Sequence, residues 1–274
     1  MDEEMTRRFL ITALVVGLAA AVVAVASAAA VGATARRHWV PVAHPSWYWQ
    51  LQGKISDKEP ASIYDVDGFD TPASEVARLH ALGKHVVCYI DVGTWENWRP
   101  DAKDFPRRVL GNGDGWAGER WLDIRKLKII EPIMKRRFEI CAHKHFDGLE
   151  PDNIDFQGND SGFPITLAEQ KRYAIWVADT AHQLGLAVFQ KNDPEQASVL
   201  ERYFDGVVSE QCNQYQECSS WRPYLKAGKP VLNAEYQKSL YPGFCKADQN
   251  AGIEGALFNL ALDGTLFKPC SSAA

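Results

Sequence analysis

The chain has 274 residues, 46% hydrophobic, 24% charged and 11% aromatic, so it can bury a sizeable core and is not disordered by composition. Its 35 acidic and 30 basic residues leave a net charge of −5, which argues against a nucleic-acid partner and suits a neutral or cationic ligand. The length allows one or two domains.

The N-terminus stands apart. Arg7 and Arg8 precede an uncharged, alanine-rich run from Phe9 to Ala35, with small-x-small sites at Ala26-Ser27-Ala28 and Ala33-Thr34-Ala35. That order of basic, apolar and cleavable segments marks an export signal. Left uncleaved, the run is long enough to span a bilayer as an anchor. Residues 1–35 are thus read as signal peptide or signal anchor, and 36–274 as a single secreted, extracellular domain. Its only membrane contact would be through that anchor. Cys88, Cys141, Cys212, Cys218, Cys245 and Cys270 all follow the signal, without CxxC or zinc-module spacing, and read as disulfides. Cys212–Cys218 would close a local loop and Cys245–Cys270 would tie the C-terminal segment, leaving Cys88–Cys141. Spacing alone leaves all fifteen pairings open.

After residue 40 one supersecondary unit recurs. Thr71 is expected as N-cap and Pro72 as the first residue of a helix that runs to Gly83, with Val76, Leu79 and Leu82 on one face. A buried-strand run, His85 to Ile90, follows. Thr166 and Glu169 form a capping box before a helix ending at Leu184-Gly185, and Ala187-Val188-Phe189 follows as a strand. Asp193-Pro194 reads as a cap opening the next helix. Phe146-Asp147-Gly148-Leu149 and Phe204-Asp205-Gly206-Val207 are near copies of one strand start. Strands are expected at 46–51, 61–66, 86–92, 147–150, 187–191, 206–210, 230–235 and 255–261. Eight alternating β and α units in this length predict an α/β fold, a (β/α)8 TIM barrel, with a doubly wound open sheet as the other candidate.

In such a barrel the chemistry sits at the C-terminal ends of the strands. Those ends are acidic here: Asp65 and Asp67 on the second, Asp91 on the third, Glu150 and Asp152 on the fourth, Asp193 after the fifth, Glu210 on the sixth and Glu235 on the seventh. Helix capping accounts for one or two of these. Convergent carboxylates repel, so their gathering implies a use. Two carboxylates across a small gap are what glycoside cleavage needs, with no metal or cofactor. Gly113-x-Gly115-x-x-Gly118 matches a dinucleotide fingerprint formally, but without a preceding strand it reads as a loop. No GxSxG is present. His143 and His145 lie before the fourth strand, at the wrong end for catalysis.

The run Cys88-Tyr89-Ile90-Asp91-Val92-Gly93-Thr94-Trp95-Glu96-Asn97-Trp98-Arg99-Pro100-Asp101, then Phe146-Asp147-Gly148-Leu149-Glu150-Pro151-Asp152-Asn153, resembles the signature of glycoside hydrolase family 114. Lys191-Asn192 and Glu210-Gln211-Cys212 are similar to its later motifs, and the resemblance covers roughly residues 45–262. It implies a TIM-barrel endo-α-1,4-polygalactosaminidase, secreted and acting on galactosaminan or galactosaminogalactan. The family's strand-4 aspartate matches Asp152 and its strand-6 glutamate matches Glu210. Asp152 is accordingly expected as nucleophile and Glu210 as general acid/base of a retaining mechanism, with carboxyls about 5–5.5 Å apart. Glu150 is the rival for the strand-4 role. Asp67, Asp91, Glu150, Asn153, Lys191 and Glu235 are candidates for holding sugar hydroxyls or amines, and Tyr48, Trp95 and Tyr236 for stacking. A deacetylated galactosamine is a cation, which uncompensated carboxylates favour. A monomer is expected. A non-catalytic carbohydrate-binding barrel and a metal-assisted hydrolase are the alternatives.

Overall fold

A computed structural model describes residues 38–270. The expected export segment lies outside the described residues. Within them, no helix is long and apolar enough to cross a membrane. Eight parallel strands pair in chain order: β1 Trp47–Gln50, β2 Ile63–Asp67, β3 His85–Asp91, β4 Gly148–Asp152, β5 Ala187–Lys191, β6 Gly206–Glu210, β7 Val231–Glu235 and β8 Glu254–Phe258. They are buried almost throughout, which is why their sequences show no regular alternation of polar and apolar residues. The fold is a TIM barrel.

Six helices cover it: α1 Ala73–Ala81, α2 Leu127–His143, α3 Leu167–Gln183, α4 Ala197–Leu200, α5 Arg222–Lys226 and α6 Gly243–Ala251. The β1–β2 connection holds no helix, and after β8 the chain turns back as the antiparallel strand Phe267–Pro269. Among the described residues β8 and β1 share no ladder. Instead Trp47 Nε1 donates to the Glu254 carbonyl (2.9 Å) at one end of the seam, and Leu51 N to the Leu262 carbonyl (2.8 Å) at the other. Phe258 fills the gap between them, its ring 5.1 Å from Trp47 and 5.3 Å from Phe267.

The repeated sequence pattern is a repeated joint. His80, in the last turn of α1, lies 2.9 Å from Asp147, whose Oδ2 also accepts the Val86 N–H of the neighbouring strand (2.7 Å). His182, in the last turn of α3, meets Asp205 at 2.8 Å, and Asp205 Oδ2 accepts the Val188 N–H (2.9 Å). Each helix then ends at a glycine with positive φ, Gly83 or Gly185, which lets the chain drop into the next strand. His143 and His145 are exposed at this same face, away from the strand C-termini.

Local differences have physical reasons. The Thr166–Glu169 capping box forms in both directions, but Pro72, not Thr71, flanks α1, and no side chain caps it. Leu82 falls one residue past the helix and is exposed. Asp193 holds the N-cap position of the turn Pro194–Gln196 with φ near 61°, and its carboxylate takes Gln196 Nε2 instead of the turn's backbone. Cys88–Cys141 ties β3 to α2, Cys212–Cys218 closes the loop after β6, and Cys245–Cys270 ties α6 to the end of the described chain.

Candidate active site

The C-terminal ends of the strands surround a cleft of about 590 Å³. One wall is the long β3–α2 connection, stiffened by an antiparallel ribbon of Thr94–Glu96 with Glu119–Trp121. Asp91 anchors that ribbon: its carboxylate accepts Gly93 N (3.0 Å), Thr94 N (2.7 Å), Thr94 Oγ1 (2.5 Å) and Asn153 Nδ2 (2.8 Å). A Cβ on Gly93 would stand 1.7 Å from the Asn153 carbonyl, so only glycine permits this crossing of β3 and β4.

β4 presents two carboxylates to the barrel interior. Residues two apart on a strand share a face, so Glu150 lies beneath Asp152. The β4–β5 ladder stops at Leu149↔Val188, and Pro151, which has no N–H, occupies the unpaired stretch beyond. Lys191, at the end of β5, projects its ammonium there. Its Nζ lies 2.7 Å from Asp152 Oδ1, 3.1 Å from Glu150 Oε1 and 3.2 Å from Glu210 Oε2, and 4.9 Å from the Trp49 ring centre. Burial alone would discharge this lysine, but Asp152, Glu210 and Glu150 outweigh it and hold the ammonium well above the ordinary lysine range.

Asp152 is held ionised by its partners. Burial works against its charge, yet Lys191, a hydrogen bond from Tyr89 Oη (2.7 Å to Oδ2) and one from Asn153 N (2.8 Å to Oδ1) lower its pKa below the usual aspartate value. Glu210 accepts Asn192 Nδ2 (3.1 Å), and Tyr236 Oη donates to its other oxygen. Asn192 Oδ1 also receives the Glu210 N–H at 2.8 Å, which locks the end of β6 to the β5 loop. Two carboxylates with different surroundings thus face one cleft.

The other anticipated residues divide. Asn153, Lys191 and Tyr236 line the cleft beside the pair. Asp67 lines it too, but both its oxygens are taken by the Arg99 guanidinium (3.1 and 2.7 Å), which also donates to Glu96 (2.7 Å). Burial pushes Glu96 up to about 7. Glu150 is fully buried below the cleft floor, and burial raises it to about 7 against the pull of Lys191. Asp91 is buried behind the ribbon and raised to about 6, first by burial and then by Asp152. Glu235 is buried beneath the loop after β6, accepting Asn213 N (2.9 Å) and Asn233 Nδ2 (3.3 Å).

Tyr48 and Trp95 do not face the cleft. Tyr48 packs edge-on against Tyr64 and Phe267 and donates to Gln50 Oε1, while its neighbour Trp49 points inward under Lys191. Trp95 donates its indole N–H to the Ala102 carbonyl within the ribbon loop (2.9 Å). Trp98 and Trp116, not singled out from sequence as stacking residues, line the cleft while more than half exposed. Tyr89 and Glu119 were also missed. Glu119 is raised to about 9 by burial and by a hydrogen bond shared with Asp114. A tryptophan set between the glycines of a surface loop, as Trp116 is, was the available signal.

A TIM barrel whose acidic cleft holds a carboxylate pair around one lysine is a fold and site of the kind glycoside hydrolases use. The model of glycoside-hydrolase family GH114 matches residues 28–273, and the chain belongs to that family. It is similar to Ega3 of Aspergillus fumigatus, whose crystal structure is a complex with galactosamine: 30% identity, TM-score 0.81, covering 85% of this chain and 98% of that one. The glycoside hydrolase domain of PelA from Pseudomonas aeruginosa shares the fold at 14% identity and TM-score 0.62, covering 81% and 97%. An uncharacterized protein of Deinococcus radiodurans is 24% identical over 214 residues, 69% of this chain and 68% of its own.

Proposed function

We propose that this glycoside hydrolase is exported and cleaves α-1,4 bonds inside galactosamine-containing polysaccharide with retention, Asp152 acting as nucleophile and Glu210 as acid/base. Asp152 attacks the anomeric carbon while Glu210 gives its proton to the departing glycosidic oxygen. Glu210 then takes a proton from the water that releases the glycosyl-enzyme ester. The observation that carries this reading is the shared ammonium: oxygens of Asp152 and Glu210 at 2.7 and 3.2 Å from Lys191 Nζ can be no more than about 6 Å apart, nearer the retaining spacing than the inverting one.

The likeness to a protein crystallised with galactosamine supports the substrate class. So does an acidic lining, since Asp70 and Asp114 edge the cleft where a cationic amino sugar would lie. Asn153 and Asn192 supply neutral hydrogen-bonding groups, and Trp98 and Trp116 offer apolar faces for sugar rings. Three disulfides fit an oxidising compartment, in keeping with the export signal of residues 1–35.

The test is release of shorter chains from purified α-1,4-galactosaminan by wild type, Asp152→Asn and Glu210→Gln. Cleavage by wild type with loss in both variants is the expected result. Polymer binding without cleavage would make the protein a carbohydrate-binding barrel. Activity abolished by a chelator and restored by a divalent ion would make it a metal-assisted hydrolase.

A further inference from the structure

Beneath the catalytic pair lies a second pair of carboxyls that the reaction does not touch. Asp65, in the middle of β2, and Glu150, on β4, are both fully buried inside the barrel. Alternate strands of a barrel contribute side chains to a shared interior layer, which brings these two together. Among the described residues, neither oxygen of Asp65 receives a hydrogen bond from any backbone or side-chain donor. Glu150 receives none from the backbone, and its one cationic neighbour is Lys191 at 3.1 Å. The groups that face this pair are Lys191 on β5 and Asp152 on β4, with Glu210 and Tyr236 beyond the ammonium.

A buried carboxylate with no donor is far costlier than a neutral acid, which can supply its own proton to a neighbour. Asp152 and Glu210 keep some exposure to the cleft, but Asp65 and Glu150 have none, and two adjoining carboxyls shut off from water beside one ammonium cannot both be charged. We propose that Asp65 is a neutral carboxylic acid whose O–H donates to Glu150, and that the single negative charge so held on Glu150 counterbalances Lys191 from below. The catalytic carboxylates then face an ammonium whose charge is already partly answered. Asp65 and Glu150 are positioning residues, acting through Lys191, and their effect on catalysis rests on the roles of Asp152 and Glu210 proposed above.

Burial and then Glu150 drive Asp65 well above the aspartate range, whereas Lys191 offsets part of the burial at Glu150, so of the two Asp65 keeps the proton. Oxygens of Glu150 and Glu210 bound to one nitrogen lie at most about 6 Å apart, a separation at which removing one charge moves a neighbouring titration by about one pH unit or more.

Two measurements test this. In infrared difference spectra near neutral pH, wild type minus Asp65→Asn should show a protonated-carboxyl C=O band. The same readout needs no substrate. In pH profiles of kcat/KM, Glu150→Gln should move the alkaline limb, which follows loss of the general acid's proton, about one unit lower. Asp65→Asn removes no charge and should leave that limb in place. Absence of the infrared band, or equal limb shifts in the two variants, would overturn the proposal. Should Glu150→Gln not fold, the Asp65→Asn spectrum alone decides. If wild type cleaves no polymer, the functional reading fails while the spectrum still reports on Asp65.

Discussion

Lys191→Met isolates what the central ammonium does for Asp152. Methionine keeps an unbranched stem over Trp49 and removes the charge. Nζ stands 2.7 Å from Asp152 Oδ1, where two unit charges at an effective dielectric of about 20 interact by about 6 kcal/mol. Tyr89 and the Asn153 N–H stay in place, and relaxation recovers part of the loss, so about half of that figure, about 3 kcal/mol, is the expected effect. That corresponds to about two pH units. The sign follows from the nucleophile's working form. Asp152 attacks as a carboxylate, Lys191 depresses its pKa, and without Lys191 the burial that opposes its charge goes unanswered. The acidic limb of kcat/KM therefore moves up by about two units. The assay is reducing-end release from α-1,4-galactosaminan across a pH series, with folding checked by circular dichroism. A folded variant whose acidic limb coincides with that of wild type would refute the reasoning.

Tyr236→Phe removes the hydroxyl that donates to Glu210 and should lower kcat about tenfold with little change in KM; an unchanged kcat would show that this bond plays no part in the reaction. Trp116→Ala should raise KM for long polymer about three- to tenfold and leave kcat nearly as it was, and equal effects on short oligomers would count against a stacking role. Arg99→Met strands Asp67 and Glu96 without their buried partner, at a cost of about 3–5 kcal/mol, so calorimetry should show Tm lower by about 10 °C. Glu96 at about 7 and Asp91 at about 6 bind protons in the fold that the unfolded chain, with ordinary carboxyls, releases. Between about pH 4.5 and 7 stability should therefore rise as pH falls, and a Tm that climbs with pH through this window would contradict the assignment.

Much of the barrel was legible because each unit is punctuated. A helix closed by glycine and followed by an apolar run marks a strand start within a residue or two, as at Gly83 before β3 and Gly185 before β5. The ring of acids was legible for the same reason, since strand ends fix where they gather. What sequence could not give was the face. Tyr48 and Trp49 are adjacent, and in a strand buried on both sides no polar alternation tells which of them looks into the barrel. Tyr89 hid likewise inside an apolar run, although its hydroxyl reaches Asp152. Asp67 and Arg99 are 32 residues apart, and nothing local announces that one neutralises the other. The split between Asp152, ionised at the surface of the cleft, and Glu150, buried one layer below, depends on depth. Depth is a property of the closed barrel.

The seam between β8 and β1 bears on when that barrel can exist. Until residues 254–262 have left the ribosome and folded back, β1 and β7 are both open sheet edges, and β1 carries Trp47 and Trp49 with no covering ring. Such edges are where a partly made chain joins others of its kind. The last strand and the Leu262 latch are therefore the step that turns a sticky intermediate into a closed vessel. The floor of the cleft, which needs Trp49 under Lys191, is finished only at that moment. A chain cut short before Phe258 should fail as an aggregating sheet, not as a smaller and weaker enzyme.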